Sequence, residues 1–219
     1  MADEQDILLR EIDEELKQEN LQQIWKKYGT LIVGGTLLLV CSVAGFQGWK
    51  SHDLNTRIEL GERFGAAQSL VSAGKDSNAQ DAFDAIAKDA PTGYQMLARF
   101  QLASLAAKQG NLDMAINTYK SLANDDNVDA VYQQLAVVLG AFVELDGNSE
   151  GAGLVARADE LISSNSPWRF TAKEIVALGE LKNGNTKTAR TRYEELSEET
   201  AAPQGLRARA QSMLDVLAK

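Results

Sequence analysis

Polar and apolar positions along this chain of 219 residues fall into two regimes. Residues 28–49, YGTLIVGGTLLLVCSVAGFQGW, carry no charge and are bracketed by Lys26 and Lys27 on one side and Lys50 on the other. At about 1.5 Å per residue, a helix of that length covers a hydrocarbon layer of roughly 30 Å. Tyr28 and Trp49 at its ends, with Trp25 and Phe46 nearby, suit the two headgroup belts. The pattern predicts a single membrane anchor, 28–50, ending at Tyr28 and Trp49. On either side the apolar residues recur at helical spacing instead, sparsely over 1–27 and densely over 51–219.

The downstream regime repeats. Gly74, Gly110, Gly147 and Gly184 follow one another at intervals of 36, 37 and 37 residues, and three of them precede asparagine: Asn111, Asn148 and Asn185. Seven residues before each glycine stands a small residue: Ala67, Ala103, Gly140 and Ala177. Five residues after each stands an alanine: Ala79, Ala115, Ala152 and Ala189. Phe83, Tyr119, Ala156 and Tyr193 lie nine after, and Ile86, Leu122, Asp159 and Leu196 twelve after, so the third unit drifts. Each unit reads as two antiparallel helices. The glycine closes the first in the left-handed conformation, and the small residues let the backbones cross closely. One such hairpin cannot bury its apolar face alone, so the units must stack into a continuous core. The expected hairpins cover 53–89, 94–123, 129–162 and a fourth opened by Ser166 and Pro167, with proline in the first turn of its helix. Leu206, Ala210, Leu214 and Leu217 form the stripe of a final capping helix after Pro203. The expected class is all-α, one membrane helix followed by a solenoid of helical hairpins. Its helix-crossing and turn positions are Ala103, Gly110, Ala115, Gly147, Ala152, Ala177, Gly184 and Ala189.

Composition narrows the chemistry. Only three prolines and few β-branched runs favour helix throughout. A net charge of −9 argues against nucleic acid or an anionic lipid surface as a ligand. One cysteine, Cys41, excludes an internal disulfide, and one histidine, His52, leaves neither a metal cluster nor a histidine-based triad. Gly34 and Gly35 lie in the apolar segment and no Lys-Ser/Thr follows Gly147 to Gly153, so there is no phosphate loop. No catalytic residue, metal site or cofactor is therefore expected. Asp125, Asp126, Glu194, Glu195, Glu198 and Glu199 could do acid–base chemistry but fall in exit loops and at helix ends, where carboxylates commonly serve solvation.

Two rival readings concern the apolar segment. Cleavage after Ser42-Val43-Ala44 would need 1–27 to be an n-region, yet it holds eight acidic residues against Arg10, Lys17, Lys26 and Lys27. A lipidated Cys41 would need a tiny residue where Val40 stands. Retention is the expectation. Lys17, Lys26 and Lys27 before the segment and Lys50, Arg57 and Arg63 after it nearly balance, with the adjacent Lys26-Lys27 pair leaning towards an internal N-terminus. In the arm, Ile7, Leu8, Ile12 and Leu16 form one apolar stripe among acids. It fits either a docking helix for a cytoplasmic partner or a marginal helix lying near the membrane or packing on a second copy of itself.

A period in the middle thirties is that of tetratricopeptide-type repeats, which QLASLAAKQGNLDMAINTYKSLA and EIVALGELKNGNTKTARTRYEEL resemble. The whole layout is an acidic arm, Trp25-Lys26-Lys27-Tyr28-Gly29, one span and divergent repeats. It resembles a bacterial family, the ancillary subunit of the SecYEG translocon. That resemblance implies an inner-membrane protein with a cytoplasmic N-terminus and a periplasmic repeat domain. It also implies the Sec translocon and a membrane-anchored periplasmic chaperone of the prolyl-isomerase type as protein partners, emerging secretory proteins as clients, and no catalytic residues. The third unit departs from the pattern, lacking the aromatic and having the looser stretch 147–151. The alternatives are a scaffold of another envelope complex, a repeat domain facing the cytosol, or an envelope enzyme or small-ligand receptor.

Overall fold

Alanine-rich stretches between glycine and proline punctuation leave the backbone little choice but helix. The computed structural model describes the backbone of residues 2–147 and 153–218, and the side chains of 25–29, 31, 33–47, 50, 54–147 and 153–218. Among these residues there are nine helices and no strand. They are α1 (Ala2–Ser72), α2 (Asp76–Asp89), α3 (Thr92–Lys108), α4 (Leu112–Ala123), α5 (Ala130–Asp146), α6 (Leu154–Ile162), α7 (Arg169–Lys182), α8 (Thr186–Glu198) and α9 (Gln204–Leu217). The chain divides into two compact units, Met1–Ile58 and Glu59–Lys219.

In the first unit, Leu31, Leu37, Leu38, Leu39, Val40, Val43 and Phe46 are all exposed, up to 71% for Leu31 and Leu38. Gly29 is buried against the Trp25 ring, 3.5 Å from where its Cβ would be. Among the described residues no helix is long and apolar enough to cross a membrane. The side chains of Thr30, Ile32, Gly48, Trp49 and His52 lie outside the described residues, as does the stripe of Ile7, Leu8, Ile12 and Leu16.

In the second unit, hairpins stack through helices that bury two faces. Helix α3 gives Ala98, Leu102 and Leu105 to a cluster with Leu60, Phe83 and Ile86, and Met96 and Ala103 to the next, around Tyr119, Leu122 and Ile175. Helix α7 likewise gives Ala172 and Ile175 to that cluster, and Phe170 and Ala177 to a third with Tyr193, Leu196 and Leu206. Helices α3 and α7 are therefore apolar on two sides, as stacking requires. Helix α9 closes the series through Leu206 and Ala210, with Leu214 and Leu217 half-buried.

Three turns share one geometry. Gly74, Gly110 and Gly184 have φ of 71°, 80° and 80°. In each, the glycine N–H donates to the carbonyl three residues back, and the next N–H donates to the carbonyl five back: Lys75 to Leu70, Asn111 to Ala106, Asn185 to Glu180. This closes orphan carbonyls at the helix end. The third turn corrects the expectation. Gly147 is extended, φ −87° and ψ 174°, and its N–H makes an ordinary helical bond to Val143. Among the described residues of that turn, the left-handed glycine is Gly153, φ 75°, at the N-cap of α6. Pro167 also differs from expectation. It sits in the turn before α7, where the Ser166 hydroxyl accepts the Trp168 N–H at 3.1 Å and the helix starts at Arg169.

Candidate protein-binding groove

The first helix of each hairpin presents its last turn beside the turn glycine, and in the three downstream hairpins these ends converge. An open groove of about 580 Å³ runs across them. Helix α5 supplies Phe142, Val143, Leu145 and Asp146, α7 supplies Leu178, Leu181 and Lys182, and Ala107 and Leu112 flank from the α3–α4 hairpin. Apolar side chains dominate it. Phe142, Leu145, Leu178 and Leu181 are half-buried, so their outer surfaces remain free.

Two long-range caps shape its third-unit wall. The Lys182 ammonium donates to the Leu145 and Gly147 carbonyls, placing a cation on the negative end of α5. The Glu144 carboxylate accepts the N–H groups of Gly153 at 2.9 Å, Leu154 at 2.7 Å and Val155 at 3.0 Å, an anion on the positive end of α6. These charges replace the glycine-closed turn used elsewhere. Arg157 similarly reaches Asn124 Oδ1 at 3.0 Å and the Ala123 carbonyl at 3.3 Å, tying the third hairpin to the end of the second.

The expected positions fall as follows. Ala103, Ala115, Ala177 and Ala189 have no exposed surface, and Gly110 and Gly184 turn the chain as described. Ala152 lies outside the described residues. In the third hairpin Ala156 and Asp159 are exposed, and Leu154 and Ala158 occupy the interior instead. A Cβ on Gly140 would lie 2.5 Å from Leu154 Cδ1 and 2.9 Å from Tyr119 Cβ, so only glycine fits where the larger Leu154 has moved in. The groove residues and the Glu144 and Lys182 caps escaped sequence reading. Their one signal was leftover apolar residues in the last turn before each glycine, such as Leu145 and Leu181.

Two of the six candidate carboxylates, Asp125 and Glu199, are engaged structurally, whereas Asp126, Glu194, Glu195 and Glu198 are exposed. Asp125 accepts from Arg99 at 2.5 Å and from the Asn127 backbone and side-chain amides at 3.1 Å each, and the Arg99 bond foremost holds its carboxyl below the usual range. Glu199 is lowered by Lys173, 3.3 Å away. Burial pushes the Tyr193 hydroxyl up to about 12, with the Glu174 charge adding to it. Among the described residues no group of histidine, cysteine or carboxylates could hold a metal ion.

A pH dependence follows from Asp125. Its depressed folded pKa means a stabilisation fully present above the unfolded value of about 3.9 and lost as pH falls through the lower folded value. Arg99→Met is expected to remove the largest part of it, so wild type and variant should differ in melting temperature at pH 6 and converge towards pH 2. A constant difference across that range would refute the linkage.

A family model, described as tetratricopeptide repeat-like domain, matches residues 22–219. No curated protein and no solved structure matches the chain.

Proposed function

We propose, since this chain belongs to the tetratricopeptide repeat-like domain family, that it is a protein-binding scaffold held at a membrane, acting through the groove across its downstream hairpins. The single observation that carries this is an open, mostly apolar groove built from three successive units. Repeat arrays use such extended faces to hold other proteins.

The anchor reading rests on the uncharged segment 28–49, its aromatic and lysine flanks, and the exposed apolar side chains of Leu31, Leu37, Leu38, Leu39, Val40 and Val43. Tethering raises the local concentration of the repeats beside a membrane complex, so each contact can be weak. The resemblance in layout supports a finer reading: an ancillary subunit of the bacterial Sec translocon with its N-terminus in the cytoplasm and its repeats in the periplasm. There it would link the translocon to a periplasmic chaperone and to emerging secretory proteins.

The test uses intact cells. The full chain should stay with membranes after alkaline carbonate extraction, and photocrosslinkers at groove positions should capture translocation-associated and periplasmic proteins. Removing 53–219 should abolish those adducts. Release into the carbonate supernatant would remove the anchor, and adducts confined to cytosolic proteins would reverse the topology.

A further inference from the structure

We infer that the groove takes an apolar segment of a partner protein that carries lysine or arginine beside its apolar anchors. This rests on the scaffold reading and adds the chemistry of the occupant. Small-molecule sites bury most of their ligand and place several polar groups around it. This groove is open and shared by three hairpins, and its charged lining is Asp146 and Lys182. A partner helix laying an i, i+3, i+4, i+7 face against Phe142, Leu145, Leu178 and Leu181 uses such a surface fully.

The sign of the charge follows from what each group already does. Lys182 is committed to the α5 carbonyls, which offset its charge locally. Asp146 is exposed, and none of the ion pairs among the described residues involves it. With the α5 end answered by Lys182, helices α3 and α7 also end at this groove, and helix C-termini carry partial negative charge. Residues 59–219 as a whole hold 22 acidic against 16 basic side chains. The potential at the groove therefore favours a cation on the partner, and an acidic partner would meet like charge.

The experiment uses the full chain in nanodiscs, with empty nanodiscs as the blank. Its probes are two fluorescent peptides sharing one leucine stripe, one flanked by lysines and one by glutamates, read by anisotropy. The lysine-flanked peptide should bind roughly two- to fivefold more tightly, the size of a partly exposed ion pair, and added salt should shrink the difference. Asp146→Lys, at an exposed position that leaves packing intact, should erase or invert the preference. Leu178→Asn should weaken both peptides. Equal binding of the two peptides, a preference unchanged in Asp146→Lys, or self-association through the groove that Leu178→Asn abolishes would each overturn the inference. If neither peptide binds while the cellular adducts persist, the occupant chemistry is wrong and the scaffold reading stands.

Discussion

Phe83→Ala is expected to cost the first hairpin about 3–5 kcal/mol, the range for emptying a buried aromatic site. Phe83 has no exposed surface, and its ring meets Phe64 edge-on at 5.3 Å between centroids. The cavity would lie between α2 and the α1 and α3 segments around Leu60, Ala98 and Leu102. Because stacked repeats contact only their neighbours, the damage should be local. Amide exchange should quicken across Asp76–Asp89 and in α3 while α8 keeps its protection. Uniform acceleration through α8 would show instead that the unit unfolds as one block.

The second large effect is at the helix crossings. Ala115→Leu and Ala189→Leu should each destabilise by roughly 1–3 kcal/mol, the usual strain of overfilling a packed interior. Both alanines have no accessible surface. Ala201→Leu, at an exposed position before Pro203, should leave the melting temperature unchanged. Gly140→Ala belongs with the first two. A helix-interior alanine gains roughly 1 kcal/mol over glycine in propensity, but its Cβ would press on Tyr119 Cβ at 2.9 Å and on Leu154. The backbone-proximal atom of Tyr119 cannot swing aside, so the net change should be unfavourable. Thermal melts of the purified full chain decide this. Equal melting temperatures for Ala115→Leu and Ala201→Leu would refute the crossing geometry.

Some titratable groups among the described residues are held in one protonation state by their surroundings. Asp125, read from sequence as a loop carboxylate, is held ionised by Arg99 and the Asn127 amides, which makes it a poor proton donor near neutrality. Tyr119 and Tyr193, raised by burial, keep their protons and serve as core.

Spacing alone made much of this molecule legible. The intervals of 36, 37 and 37 residues placed the hairpins, because a helix turn and a glycine cap are decided within about five residues of sequence. In the first, second and fourth hairpins, alanine beside the crossing and an aromatic nine residues past the glycine are buried, for the same local reason. The uncharged run 28–49 was equally plain. What tertiary structure decided is concentrated in the third hairpin. There Gly147 is extended, Leu154 fills the space against Gly140, and the helix ends are closed by Glu144 and by Lys182, the latter 35 residues beyond Gly147. The groove is set in the same way, by α3, α5 and α7 coming together from different units. Periodicity carries no information about partners one repeat away; only when the units stack do a distant ammonium and an orphan carbonyl meet.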